Sequence, residues 1–99
     1  MKWHKVLDEI GTRKVPRPNR RYFEKSGYTE EQYEEARNHY WETERESSEM
    51  MKNAMLDDTG LLGHPKADKV WDYAYEQGHA SGWNDVYQCL EELANIVLD

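Results

Sequence analysis

Between Gly27 and Gly60 the chain contains neither glycine nor proline, and no other feature constrains its fold so tightly. Thr29-Glu30-Glu31-Gln32 opens this stretch as a capping box. The threonine hydroxyl can accept from the backbone three residues on, while the glutamine side chain reaches back. Glu30 and Glu31 fall where the helix dipole favours negative charge. The stretch therefore reads as one helix over residues 29–57, about 42 Å long at about 1.5 Å per residue. Its inward seam is Tyr33, Ala36, Tyr40, Thr43, Ser47, Met50 and Ala54, with the alternating three- and four-residue spacing of a coiled coil. Residues so small or polar suit a close partner better than a thick core.

A partner of similar length follows the turn signals Asp58-Thr59-Gly60 and Gly63-His64-Pro65. Leu61 and Leu62 are expected to plug the end of the hairpin, and Pro65 to take the first helical position. Gly78 and Gly82 threaten the second arm. At 100° per residue, however, Ala67, Trp71, Ala74, Tyr75, Gly78, Gly82, Val86, Cys89, Leu93 and Ile96 share one sector of about 120°. One helix over 66–97 is expected, with Ala74, Gly78 and Gly82 as a smooth strip where the first arm comes close. Close packing would offset the roughly 1 kcal/mol that each interior glycine costs. Trp83, Tyr87, Leu90 and Ala94 form a second seam on its C-terminal half.

Upstream, Trp3, Val6, Leu7 and Ile10 fall on one face of a short helix over 3–10 that Gly11 ends. Pro16 and Pro18 hold residues 12–18 extended, and Asn19 is placed to cap a short helix that stops at Gly27. The expected fold is all-α: a long antiparallel helical hairpin (29–57 and 66–97) with the N-terminal helix packed at one end, a three-helix bundle. That end is where the first arm begins and the second finishes. The chain reads as a single domain, 1–99, with a basic N-terminal helix and Pro-rich connector over 1–28 and an acidic hairpin over 29–99.

Charge is distributed unevenly. Residues 1–25 hold eight Lys/Arg and three Asp/Glu, whereas residues 26–99 hold five and seventeen. A basic head on an acidic body can meet partners in two opposite ways or fold back on itself. The single cysteine, Cys89, excludes an internal disulfide and fits a reducing compartment. The apolar runs are too short for a signal peptide or a membrane span. A cytoplasmic protein is expected, in the host cytosol if phage-encoded, with no membrane role.

Four constellations could carry chemistry. Glu31, Glu35, Glu42, Glu46 and Glu49 share a sector of about 60° on the first long helix, at rises of about 0, 6, 16, 22 and 27 Å. A carboxylate row stepped like backbone phosphates could compete for a basic groove on a nucleic-acid enzyme. A plain solvated helix face is the alternative. Trp41 lies off the seam and joins these glutamates as a candidate contact. The second constellation is Glu76-Gln77-Gly78-His79, an E-x-x-H of the kind used in carboxylate-bridged di-metal bundles. The second such motif is missing, as is the E-x-x-D of helical nucleotide pyrophosphatases, so no metal, cofactor or catalytic residue is assigned. His79 reads instead as a hydrogen-bonding residue at the core edge. Third, Cys89 lies in the apolar seam, where a buried thiol is inert, and no Gly-rich phosphate loop appears. The fourth is the basic patch Arg13, Lys14, Arg17, Arg20 and Arg21, beside Tyr22 and Phe23. It could grip phosphates, or it could pair with Glu30, Glu34 and the acidic end of the second arm. The net charge of -7 opposes direct nucleic-acid binding.

Gly63-His64-Pro65-Lys66-Ala67-Asp68-Lys69, Val70-Trp71-Asp72-Tyr73-Ala74-Tyr75, Gly78-His79-Ala80-Ser81-Gly82 and Val86-Tyr87 resemble the C-terminal part of small proteins of tailed bacteriophages. The likeness covers residues 63–97, about a third of the chain, and brings no catalytic residue. What it implies is context, since short acidic phage proteins often bind host proteins, defence and nucleic-acid enzymes among them. The expectation is a non-enzymatic protein that binds and modulates a host or phage protein through its acidic, nucleic-acid-mimicking face. A structural or oligomerising module, in which a homodimer forms, is the second reading, and a metal-dependent helical hydrolase the third.

Overall fold

The computed structural model describes all 99 residues as five helices and no strand: α1 (Lys2–Arg13), α2 (Arg20–Lys25), α3 (Glu30–Asp58), α4 (Ala67–Gly78) and α5 (Trp83–Leu98). The all-α class stands, but the hairpin is laid out differently. The capping box forms as read: Gln32 N–H donates to the Thr29 hydroxyl at 3.2 Å, and Thr29 N–H donates to the Gln32 side chain at 2.8 Å. The expected second arm over 66–97 is two helices. Gly82 adopts φ +116°, a conformation that glycine alone takes readily, and the chain reverses there. Pro65 lies two residues before the first residue of α4.

The smooth strip consequently serves another purpose. Gly78 is buried, and a Cβ on it would lie 2.6 Å from the Val86 backbone nitrogen. It marks where α4 touches the first turn of α5, not α3. Gly82 is exposed at the turn. Across this crossing, Trp71 stacks on Trp83 with centroids 6.4 Å apart and planes inclined by 23°.

The helix α1 runs through Gly11 to Arg13, because that glycine meets nothing nearby and retains a negative φ. It packs along α3, and at the opposite end from the one expected. Its first turn meets the last turn of α3. Asp58 accepts from the backbone N–H groups of Lys2 at 2.9 Å and Trp3 at 2.8 Å. A carboxylate at a helix C-terminus is disfavoured by that helix's dipole; here it is offset by capping the free N–H groups of another helix. Lys2 also pairs with Asp57, which pushes the Lys2 pKa above its ordinary value. Replacing Asp58 by alanine is expected to cost about 1–2 kcal/mol, read as a lower urea midpoint at unchanged slope. A loss no larger than that of an exposed surface residue would remove the cross-helix cap.

The core lies wholly in this head: Trp3 from α1, Met51, Ala54, Met55 and Leu56 from α3, Leu61, then Ala67, Val70, Trp71, Ala74, Val86, Leu90 and Ala94 from α4 and α5. Leu61 plugs the turn as expected, while Leu62 stays 53% exposed. Beyond the head the molecule thins. It extends 58 × 23 × 22 Å, with a radius of gyration of 16.9 Å, against about 13 Å for a compact chain of 100 residues. The projection is the N-terminal two-thirds of α3, flanked by the connector and α2. From Lys14 to Met50 no residue is buried. The predicted seam residues Tyr33, Ala36, Tyr40, Thr43, Ser47 and Met50 are half-buried there, under the connector side of the arm.

Candidate functional site

The proline-rich connector lies back along α3, so that Arg13, Arg17 and Arg20 meet successively earlier turns of it. Arg13 is beside Met50, with Nη1 3.8 Å from the sulfur, and pairs with Glu9 at 3.0 Å. The Arg17 guanidinium sits 5.7 Å from the Trp41 ring centroid. Arg20 grips Glu30 with two bonds of 3.0 and 3.1 Å and lies over Tyr33 at 4.7 Å. The hydrogen bond and charge of Glu30 push the Arg20 pKa up. Of the partners expected for the basic segment, Glu30 is engaged; Glu34 and the carboxylates of α5 are not. Lys14 and Arg21 form no ion pair. At the tip, Asn19 caps α2 by accepting from Tyr22 N–H at 3.1 Å. Phe23 there packs against Tyr28 and Tyr33 at 5.0 and 5.6 Å.

Glu31, Glu35, Glu42, Glu46 and Glu49 are all exposed on α3. The ion pairs of the chain are Lys2–Asp57, Arg13–Glu9, Arg20–Glu30 and Lys52–Asp68, so every carboxylate of the row is free. Trp41 is 53% exposed and meets Tyr40 edge-on at 5.2 Å. Two open grooves flank the arm. One lies between connector and helix and is lined by Val15, Pro16, Pro18, Phe23, Ala36 and His39 among others. The other runs along Gln32, Glu35, Ala36, Asn38, His39 and Glu42. They share Ala36 and His39, and together form one trough between the basic connector and the carboxylate row.

His79 lies away from the arm. It is exposed, with Nδ1 3.0 Å from the Tyr75 carbonyl oxygen and its ring stacked on Tyr75 at 5.0 Å. No three His, Cys, Asp or Glu side chains converge on a point that could hold a metal ion. Cys89 is half-buried at the head surface, less covered than the seam implied, because α5 centres its buried face on Val86, Leu90 and Ala94 and Cys89 packs only at the edge of that face. Burial, and then the charge of Glu92, pushes its pKa up. The folded chain thus holds the thiol proton more tightly than the unfolded chain, and the stability this adds fades as pH rises through the alkaline range. Alkylation of Cys89 by iodoacetamide at neutral pH is expected to be several-fold slower in the folded protein than in urea. Equal rates would contradict this placement.

Sequence reasoning missed the Asp58 cap and the stacked Trp71, Tyr75, His79 and Trp83 rings. The aromatic spacing of four from Trp71 to Tyr75 to His79 was a signal for the stack. Nothing local announced the cap, whose partners are more than fifty positions apart.

The sequence model of one family, described as "Family of unknown function (DUF8546)", matches residues 6–98. No curated protein and no solved structure matches the chain.

Proposed function

We propose a function for a chain that belongs to DUF8546, a family of unknown function: a non-enzymatic protein that docks on a basic surface of another protein through its arm. One observation carries this reading. Five exposed carboxylates on α3, Glu31, Glu35, Glu42, Glu46 and Glu49, have no ion-pair partner within the chain. Free charges of one sign, spaced along about 27 Å of rigid helix, favour encounter with a surface of the opposite sign. Trp41 is an amphipathic anchor of the kind that dominates binding energies.

The finer proposal is that the row imitates the phosphates of a nucleic-acid strand, and so modulates or inhibits a host defence or nucleic-acid enzyme. The imitation belongs to the row and not to the whole arm, because residues 14–49 hold seven Lys/Arg beside nine Asp/Glu. The phage resemblance of residues 63–97 makes a bacterial cytosol the place to look for the partner. Reversing Glu31, Glu35, Glu42 and Glu46 to lysine is expected to abolish capture of a protein that the unmodified chain retains from a bacterial lysate. The variant's circular dichroism should remain helical. Undiminished capture by the helical variant would remove the acidic-surface reading.

A further inference from the structure

We propose that two copies of this chain pair arm to arm about a two-fold axis parallel to α3, so that each basic connector lies against the other's carboxylate row. The proposal rests on the same row as the docking function. It makes the dimer a resting form whose row a competing basic partner would uncover.

The arm lacks a core of its own. No residue between Lys14 and Met50 is buried, while all thirteen buried apolar side chains lie in the head. Isolated helices are marginal in water and owe most of their stability to packing of one face, and α3 projects with one side only partly covered. The uncovered side is the trough. Gln32, Ala36 and His39 line it at spacings of four and three, the spacing by which two helices stay in register along a shared seam.

Charge names the occupant. The trough is bordered on one side by the connector, where Lys14 and Arg21 have no ion pair, and on the other by the unpaired row. A two-fold contact is self-complementary, each patch meeting its own copy. An axis across the arm would set connector against connector and row against row. An axis along the arm sets connector against row twice, with the arms parallel. Outside residues 14–49 the chain holds six Lys/Arg and eleven Asp/Glu, so parallel arms bring two acidic heads to the same end, a repulsion that the two connector–row contacts must exceed.

The test is a charge exchange read by sedimentation. The unmodified chain is expected to be dimeric. Lys14→Glu with Arg21→Glu, and separately Glu35→Lys with Glu46→Lys, should each be monomeric while remaining helical by circular dichroism. Mixed in equal amounts they should restore a heterodimer, because an acidic connector then meets a basic row and a basic connector an acidic one. Gln32→Cys in a Cys89→Ser background should form an interchain disulfide, which parallel arms allow and antiparallel arms do not. A monomeric unmodified chain, a mixture that stays monomeric, or a dimer that never cross-links at Gln32 would overturn the proposal. The connector variant leaves the row intact, so it should still capture a lysate partner. Failure of pairing and failure of docking are thereby separable.

Discussion

Replacing Trp3 by alanine is expected to remove about 3–5 kcal/mol of stability, the cost of emptying a buried aromatic site. Trp3 is 2% exposed and the only buried residue of α1. Its ring lies 5.3 Å from that of Tyr87 on α5 and 4.0 Å from that of His4. It is therefore the residue that ties the first helix to the last. A domain of about 100 residues holds roughly 5–15 kcal/mol in total, so the loss is a large share of what keeps the head folded. The indole N–H has no hydrogen-bond partner. Trp3→Phe, which keeps a ring and removes that orphaned donor, should accordingly cost much less than Trp3→Ala. Urea unfolding of the three chains checks the order. A Trp3→Ala loss below about 1 kcal/mol, the range of surface substitutions, would mean that α1 does not dock as described.

The second large effect is at Gly78. In an ordinary helix position, glycine to alanine gains about 1 kcal/mol. Here the new methyl would lie 2.6 Å from the Val86 nitrogen and 2.8 Å from the Val86 Cα and the Asp85 carbonyl carbon. These are backbone atoms of the first turn of α5, and they cannot swing aside as a side chain would. Overpacking of a tight site costs about 1–3 kcal/mol, occasionally more, and where the obstacle is backbone the upper end applies. Gly78→Ala is therefore expected to be destabilising by about 2 kcal/mol net of propensity, a fall of roughly 10 °C in Tm for a chain of this size. The exposed Gly11, with nothing within 4 Å and a helical φ, is the control: Gly11→Ala should stabilise. If both substitutions moved Tm upward, the close α4–α5 crossing would be wrong.

Gly78 and Gly82 also show why part of the fold was legible from residue order and part was not. The start of α3, its length and its half-covered seam follow from local chemistry, namely a capping box, the lack of breakers and a repeating spacing. Such signals act within one helix and survive whatever the rest of the chain does. The reversal after Gly78 escaped because the apolar phase is preserved across it. Cys89, Leu93 and Ile96 continue the apolar phase of α4, although the face that α5 buries, Val86, Leu90 and Ala94, lies more than a quarter-turn from it at about 100° per residue and the chain has changed direction. Periodicity records which side is apolar and carries no record of direction. The position of α1 was missed for a related reason. Attachment through the connector suggests a place beside the start of the first arm, whereas an extended segment covers more than twice the distance per residue of a helix and lets α1 reach the far end of α3. Among the candidate site residues, the carboxylate row and the Arg20–Glu30 pair followed from helix spacing and charge. The contact of Arg17 with Trp41 depended on the connector's path and could not be read from spacing.

The Trp3–Tyr87 contact bears on how the chain is born. Synthesis proceeds from the N-terminus, so Trp3 leaves the ribosome well before Tyr87, its contact on α5. Until the final helix emerges, the hydrophobic face of α1 can rest only on the end of α3, and the head stays open. Contacts of such long sequence separation are slow to form, because a large loop must close before they contribute. A chain stalled or cut before α5 would thus present its apolar N-terminal helix unsheltered, and quality control would meet a different molecule from the finished one.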